Sequence, residues 1–315
     1  MPEKIAYLFP GQGSQFVGMG RDLLESFPTA KEIFQQTDEI CERPISRFCF
    51  EGPMEELTLT ETLQPAITAV NLAALAALQA SGVKPFVSVG HSLGEYAALV
   101  SAGVLQAGDA LRLVRKRGEL MHRESLSHPG TMAAVLGLPI ETVERIVDEA
   151  KGDDILAVAN HNTAEQIVIT GQKEPVSRAV QAVKKEGAKA IPLKVSGAWH
   201  CRLMEGAVAE FREFMEQIPF SPPATRMFFN ATGDAEADPE AMKDIMAKQL
   251  VSPVKWYDIV QQMVSEGVQT FVEVGPKKVL TGLVRKIVPK DGEIRLFQVD
   301  DSAGLEKFLA RESKF

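Results

Sequence analysis

A serine between two glycines is the first feature of this sequence that could do chemistry. The stretch GHSLG (90–94) follows the apolar, β-branched run 85–90 and precedes a segment with a helical pattern, 93–103. This G-x-S-x-G pattern, with a strand before it and a helix after it, is typical of a nucleophile elbow. Glycines leave room for the sharp turn, and the backbone N–H that follows the serine can stabilise an oxyanion. We interpret Ser92 as a nucleophile; a structural serine in a turn is the alternative.

A serine nucleophile needs a base, and the sequence offers five histidines. His91 is the immediate neighbour of Ser92, and adjacent side chains diverge on such a turn. Three others lie at a helix end, before a proline and in a predicted hairpin: His122, His128 and His161. His200, in VSGAWHCRLM, stands where the chain passes from one predicted unit to another, which is a usual place for a site. Elimination favours His200 as the base and leaves a capping or core histidine as the alternative.

One cation lies within an apolar stripe of the predicted helix 108–123. Arg117 has apolar residues three and four positions away on both sides, whereas Arg115 and Lys116 each have a polar neighbour at that spacing. A buried guanidinium must find an anion, because burying it unpaired is costly. The spacing leaves two interpretations open: an internal salt bridge, or a bidentate clamp for a substrate carboxylate.

The elements that must position these residues alternate along the chain. The pattern predicts strands at 4–9, 85–90, 226–232, 270–275 and 295–300. It predicts helices at 22–39, 65–80, 93–103, 108–123, 201–217, 239–250, 254–266 and 278–287. Such alternation indicates an α/β fold with a parallel sheet covered on both faces. Residues 131–195 have a βαββαβ order instead, which predicts an inserted ferredoxin-like subdomain at about 127–197.

Composition argues against several classes of function. The net charge of −8 and the lack of a long basic run argue against a nucleic-acid partner. The stretch 95–107, taken as the most apolar, is too short to span a bilayer, and the first residues lack a signal-peptide core. We expect a cytoplasmic, monomeric protein with no membrane contact. Three cysteines without metal-like spacing indicate free thiols and no metal site: Cys41, Cys49 and Cys201.

Eight short motifs carry a resemblance to a known family. They are PGQGSQ (10–15), LQPAI (63–67), GHSLGEYAA (90–98), RGELM (117–121), ANHN (159–162), VSGAWHCRLM (195–204), KQLVSPVKW (248–256) and EVGPKKVL (273–280). From about residue 4 to residue 300, the chain resembles the malonyl-CoA:acyl carrier protein transacylases of fatty-acid synthesis and their polyketide acyltransferase relatives. The resemblance implies an α/β-hydrolase-like catalytic subdomain, residues 1–126 and 198–315, with the ferredoxin-like insertion at 127–197.

The resemblance also implies roles for matching residues. Ser92 matches the acylated serine, His200 its base, and Arg117 the arginine that pairs with the malonyl carboxylate. Two residues match the oxyanion hole, Gln12 and, through its backbone N–H, Leu93. The main-chain carbonyl of Gln249 matches the group that orients the histidine in place of a triad acid, and the implied pocket residues are Gln64, Asn160, Trp199 and His91.

The implied reaction is a ping-pong transfer of malonyl from malonyl-CoA to the phosphopantetheine thiol of an acyl carrier protein. The partner carries the phosphopantetheine, and no metal or redox cofactor is expected. Because such carriers are acidic, docking is expected to use a local basic patch, which we define as Lys277, Lys278, Arg285 and Lys286.

Two departures from the family pattern bear on substrate choice and docking. Trp199 stands where relatives often have Phe or Ser, and its bulk favours malonyl over methylmalonyl. Lys277 stands where relatives often have Gly. The alternatives are a polyketide-type acyltransferase with other acyl choice, an acyl-thioester hydrolase and an inactive scaffold that only docks carriers. A hydrolase triad acid would have to come from Asp148, Asp153 or Asp154, which lie inside the predicted insertion.

Overall fold

Two sheets of different type organise the protein. The computed structural model describes residues 3–289 and 292–311. Its strands are β1 (Ile5–Phe9), β2 (Val87–Gly90), β3 (Thr131–Leu136), β4 (Leu156–Thr163), β5 (Gln166–Gly171), β6 (Lys189–Pro192), β7 (Arg226–Met227), β8 (Thr270–Val274) and β9 (Arg295–Val299). One sheet has the order β7-β2-β1-β8-β9 and the other the order β4-β5-β3-β6. All pairs in the first are parallel and all pairs in the second antiparallel.

Helices occupy most of the connections. They are α1 (Arg21–Ser26), α2 (Pro28–Cys41), α3 (Ile45–Glu51), α4 (Met54–Thr58), α5 (Thr60–Ala80), α6 (Glu95–Ser101), α7 (Ala107–Ser127), α8 (Ile140–Lys151), α9 (Lys173–Lys185), α10 (Glu205–Met215), α11 (Pro239–Lys248), α12 (Trp256–Ser265), α13 (Val279–Ile287) and α14 (Ser302–Leu309).

Strand β1 lies at the centre of the parallel sheet and is buried on both faces. Its odd-numbered residues, such as Tyr7 and Phe9, belong to a core shared with α5, α6 and α7, because successive side chains of a strand point to opposite faces. Ala6 and Leu8 belong to a second core, shared with α12 and α13. The parallel sheet covered on both faces is therefore confirmed.

The carboxyl ends of β1, β2 and β8 meet at one edge of this sheet. Phe9 pairs with Gly90 and Leu8 pairs with Glu273. The loops that follow the three strands consequently lie side by side. This register brings together three motifs that are distant in sequence: 10–15, 90–98 and 273–280.

The antiparallel sheet has the βαββαβ order expected from the sequence, within residues 131–192. Helices α8 and α9 pack on one face in a separate core. The other face contributes residues such as Met132 and Val168 to the large core.

Backbone hydrogen bonds also connect β4 to the segment before α12. The N–H of Val254 donates to Ala159 O at 2.8 Å, and the N–H of His161 donates to Val254 O at 2.9 Å. The mixed α/β fold class is confirmed, while the subdomain limits at 127–197 stay a prediction.

Several predicted elements differ from the observed ones. The helix expected over 22–39 is two helices, because Phe27 precedes Pro28 and is held extended (φ −131°, ψ 117°). The strand expected over 226–232 joins the parallel sheet only at Arg226–Met227, and Phe228 forms an isolated antiparallel bridge with Ala235. Three short helices were not predicted: α3, α4 and α14.

Helix α5 begins at Thr60, five residues before the predicted start, and contains Pro65. Among the described residues it is the one helix long and apolar enough to cross a membrane, with a mean hydropathy of 1.3. The expectation that 95–107 is the most apolar stretch is therefore wrong. Since 83% of its apolar window is buried inside the protein, α5 has the character of a core helix.

Candidate active site

Ser92 lies in a sharp turn between β2 and α6, within a single 3-10 turn. Its backbone has a positive φ of 50°, which few non-glycine residues adopt. A Cβ added to Gly90 would lie 1.9 Å from the carbonyl carbon of Gly94, and one added to Gly94 would lie 1.9 Å from Phe9 O. Both positions therefore require glycine for space, so the turn dictates the two glycines of GHSLG.

The Ser92 Oγ lies 2.8 Å from Nε2 of His200. On the other side of the ring, Nδ1 faces two main-chain carbonyls, Gln249 O at 3.0 Å and Ser252 O at 3.1 Å. Two acceptors require the proton on Nδ1, which leaves Nε2 free to accept the serine proton. Burial, with the nearby Arg117 charge, lowers the pKa of His200 to about 3. The imidazole is thus neutral and able to act as a base at neutral pH.

Arg117, on α7, lies against the serine and is 2% exposed. One guanidinium nitrogen, Nη1, donates to Gln64 Oε1 at 2.8 Å. The other, Nη2, donates to Gln249 Oε1 at 3.0 Å and to Ser92 Oγ at 3.2 Å. Over residues 3–289 and 292–311, no carboxylate forms an ion pair with it. The internal salt bridge is therefore not found in this part of the chain: the hydrogen-bond partners of the guanidinium are neutral, and the carboxylate of Glu95 acts on its charge without bonding it.

The loop after β1 carries Gln12 to the serine. An added Cβ on Gly11 would lie 2.4 Å from His91 O, so the loop packs directly on the elbow. Both Gln12 and Leu93 line the same cavity as Ser92. The N–H of Ser92 itself donates to Asn230 Oδ1 at 2.6 Å. The serine's own N–H is thus occupied, while the cavity borders the two residues expected to form the oxyanion hole.

A cavity of about 110 Å³ opens over Ser92. Its polar lining includes Ser92, His200 and Arg117, and the last two lie within hydrogen-bond distance of the serine Oγ. Apolar side chains form much of the rest, and the lining also includes expected pocket residues. These lining residues are Met121, Met132, Leu193, Val195, Asn160, Trp199 and His91. Gln64 is behind Arg117 rather than on this surface. The shape suits a short acyl group with one charged end.

The remaining histidines do not face Ser92 with a free ring nitrogen. His91 borders the cavity, but its Nε2 lies 2.8 Å from Asn162 Oδ1, and burial lowers its pKa. His128 Nδ1 is 3.4 Å from Glu124, and the ring of His161 packs on Tyr257. The three cysteines are buried free thiols, and the described residues contain no group of three or more potential metal-binding acids, histidines and cysteines.

The sequence reasoning missed two residues that hold the elbow. Asn230, just beyond β7, donates from Nδ2 to Gly90 O at 2.8 Å in addition to accepting from Ser92. Glu95, the first residue of α6, is 1% exposed and accepts from the N–H of Asn230 at 2.8 Å. A charged residue in the otherwise apolar segment EYAAL was the available signal for Glu95. Nothing in the segment FFNAT distinguishes Asn230 before the fold is known.

Comparisons with known proteins were made on the whole chain. A profile of the acyl transferase domain family matches residues 6–299. The malonyl CoA-acyl carrier protein transacylase of Bacillus subtilis (strain 168) is 42% identical over 90% of this chain and 90% of its own. A polyketide biosynthesis malonyl CoA-acyl carrier protein transacylase of the same organism is also 42% identical, over 92% and 98%. A solved malonyl-transacylase in complex with a type II polyketide synthase acyl-carrier protein is 37% identical, with a TM-score of 0.93 over 99% and 100%.

Proposed function

The chain belongs to the acyl transferase domain family, and we propose that it moves a malonyl group from malonyl-CoA to an acyl carrier protein through a malonyl ester on Ser92. Its relatives at 42% identity include one malonyl CoA-acyl carrier protein transacylase and one whose name assigns it to polyketide biosynthesis. The proposal therefore names the reaction and not the pathway that it serves. Polyketide-type acyl transfer, with a different acyl choice, is the second candidate function.

The first half-reaction acylates the serine. His200 Nε2 takes the hydroxyl proton as Ser92 Oγ attacks the thioester carbon of malonyl-CoA. The N–H groups of Gln12 and Leu93 stabilise the oxyanion that develops on the carbonyl oxygen. The carbon–sulfur bond then breaks, and the CoA thiolate leaves with the proton from His200.

The second half-reaction transfers the acyl group. The phosphopantetheine thiol of the carrier gives its proton to His200 and attacks the ester carbonyl of malonyl-Ser92. A second oxyanion forms in the same place and collapses, and the serine oxygen recovers the proton as the new thioester leaves. Throughout, the free carboxylate of the malonyl group is held by Arg117.

One observation carries this proposal: a buried guanidinium that lies 3.2 Å from the nucleophile and has no carboxylate partner within the described residues. This buried guanidinium has only neutral hydrogen-bond partners, and the Glu95 carboxylate reaches it only through Gln249, so the site favours a ligand that brings an anion. Malonyl carries a carboxylate at the end of its acyl chain, and acetyl does not. Trp199 lines the cavity, and we propose that its bulk favours malonyl over methylmalonyl.

Intact-mass spectrometry tests the proposal. The wild type and Ser92→Ala are incubated with an equimolar mixture of malonyl-, methylmalonyl- and acetyl-CoA. We expect a malonyl adduct on the wild type and none on the variant. A methylmalonyl adduct would show that Trp199 does not set the acyl choice. Free CoA released without an adduct would indicate hydrolysis, and neither adduct nor CoA release would favour the inactive scaffold.

We propose the basic patch as the carrier-docking surface. Lys277 and Lys278 are exposed, and Lys277 Nζ lies 3.4 Å from Gly13 O in the loop that carries Gln12. Lys277→Glu together with Lys278→Glu is expected to raise the KM for the carrier and leave acylation by malonyl-CoA unchanged. An unchanged carrier KM would place docking elsewhere. A cytoplasmic monomer stays part of the proposal, and analytical ultracentrifugation tests the monomer.

A further inference from the structure

Glu95 is a buried carboxylate beside the nucleophile that the mechanism above does not use. It opens α6, three residues after Ser92, and it is 1% exposed. A carboxylate is costly to bury without strong partners. Its contacts therefore indicate what it does.

Both oxygens of the Glu95 carboxylate are engaged. One, Oε1, accepts from the backbone N–H of Asn230 at 2.8 Å. The other, Oε2, accepts from the side-chain amide nitrogen of Gln249. Both residues in turn bond the main chain of the elbow. Asn230 bonds Gly90 O and the N–H of Ser92, and Gln249 bonds Ser92 O.

The contact with Gln249 fixes the direction of an amide group. A carboxylate only accepts hydrogen bonds, so the NH₂ end of Gln249 must face Glu95. The same nitrogen donates to Ser92 O at 3.0 Å. The carbonyl end, Oε1, is then directed at Arg117 Nη2, 3.0 Å away. The Gln249 residue thus orients the guanidinium with its side chain and His200 with its main-chain carbonyl.

We propose that Glu95 is a positioning residue for malonyl transfer, which holds Arg117 through Gln249 and the Ser92 main chain through Asn230. The inference rests on the proposed acylation of Ser92. Loss of the carboxylate removes one of the two acceptors that hold the Gln249 NH₂, so the amide holds its Oε1 less firmly against the guanidinium. Binding of the malonyl carboxylate then suffers more than binding of an acetyl group.

A pH dependence follows from the same geometry. Burial raises the pKa of Glu95 to about 7. The titratable groups that face it are Tyr96 on its own helix, Arg117 on α7 and, beyond Gln249, His200. Since the pKa of His200 is about 3, the base stays neutral across this range. Protonated Glu95 would present an O–H to the Gln249 NH₂, so malonyl loading is expected to be full above pH 7 and to fall as the pH drops through it.

The experiment uses the full chain and a matched control. Glu273, at the end of β8, is another buried glutamate whose pKa burial raises to about 7, but its carboxylate bonds α13. The wild type, Glu95→Gln and Glu273→Gln are compared by quenched intact-mass measurement of kcat/KM for loading from malonyl-CoA and from acetyl-CoA, at pH 5.5 to 9. Thermal melts report folding.

For Glu95→Gln we expect kcat/KM for malonyl at pH 8 to fall roughly tenfold to a hundredfold, as for the loss of a charge-assisted hydrogen bond. The acetyl value should fall less, and the acid limb near pH 7 should vanish. Glu273→Gln should keep both the limb and the malonyl-to-acetyl ratio. A Glu95→Gln variant with the wild-type limb and ratio would overturn the inference, whereas a wild type without a malonyl adduct would overturn the proposed function.

Glu95→Asp serves if Glu95→Gln does not fold. Aspartate keeps a titrating carboxylate but is one methylene too short to reach both partners. We expect an acid limb to remain and the malonyl-to-acetyl ratio to drop. A ratio equal to that of the wild type would overturn the positioning role.

Discussion

Two strand-to-helix turns lie at the same edge of the parallel sheet, one after β2 and one after β8. After β8, the carboxylate of Glu273 accepts from the N–H groups of Val279 and Leu280 at 2.9 Å and of Thr281 at 2.8 Å. After β2, the glutamate lies beyond the serine and bonds Gln249 and Asn230 instead.

The difference lies in where the negative charge comes from. At the start of α13 the protein supplies the anion itself, so the first N–H donors of that helix are satisfied before any ligand arrives. At the elbow, Leu93 borders the cavity over Ser92, and the oxyanion is expected to arise from the substrate during the reaction. A turn can therefore stabilise a helix or a transition state with similar backbone groups, depending on whether a resident carboxylate occupies them.

The largest expected effect comes from removing His200, the base that serves the turn after β2. His200→Ala is expected to lower the rate of Ser92 acylation about 10⁴-fold, because base and nucleophile act as a unit. Stopped incubations with malonyl-CoA, read by intact mass, measure the rate. A loss of less than about tenfold would mean that another group takes the proton.

An added methyl group compares the space at the elbow with the space in the helix that follows β8. Gly90→Ala puts a Cβ 1.9 Å from main chain, and we expect a loss of at least about 3 kcal/mol in the free energy of unfolding. The matched change Gly282→Ala lies within α13, where an added Cβ meets nothing within 4 Å. It should gain up to about 1 kcal/mol from helix propensity. Urea titrations compare the two, and similar values would contradict the packing difference.

Removal of Arg117 tests whether the site beside Ser92 binds the carboxylate of the substrate. Arg117→Ala should lower kcat/KM for malonyl roughly a hundredfold, about 3 kcal/mol, and should affect acetyl less. The control Arg115→Ala changes a partly exposed arginine of the same helix that pairs with Glu42 and Glu119. It should leave loading unchanged. Equal losses for malonyl and acetyl in Arg117→Ala would assign the guanidinium a structural role.

The smallest effect concerns the resident carboxylate at α13. Burial raises the folded-state pKa of Glu273 from 4.5 to about 7. The folded state thus binds this proton more tightly, and stability that is present below pH 4.5 is lost as the pH rises through 7. The free energy of unfolding should therefore decline less between pH 4.5 and pH 8 in Glu273→Gln than in the wild type, by about 1 to 3 kcal/mol. Urea unfolding at pH 4.5, 6 and 8 measures it, and an unchanged slope would assign the decline to other carboxyl groups whose pKa burial raises, such as Glu95.

The sequence predicted the elements that obey local rules. Alternation and turn residues located the βαββαβ unit, and GHSLG located the turn at Ser92, because both signals are confined to neighbouring residues. Helix 22–39 was predicted as continuous because the effect of Pro28 on Phe27 was overlooked. The strand after residue 226 was predicted too long, since its pairing stops where the chain turns towards the elbow.

The candidate site was predictable only in part. Ser92 had a local motif, whereas spacing alone left Arg117 between a salt bridge and a clamp. The network of Glu95, Asn230 and Gln249 was not predictable, because its hydrogen bonds join residues more than 130 positions apart. Such bonds depend on the register of the parallel sheet and leave no periodic trace in the chain.

The pairing of β4 with the segment at Val254 has a consequence for protein engineering. That segment also carries the carbonyl of Ser252, which orients His200, while Asn160 on β4 borders the cavity. The backbone hydrogen bonds of Ala159 and His161 with Val254 thus connect the cavity lining on β4 to the segment whose carbonyl orients His200. An engineer who exchanges the antiparallel sheet between relatives to change the acyl choice must preserve these two hydrogen bonds. A chimera that loses them is expected to change its acyl pocket and, at the same time, to misplace His200.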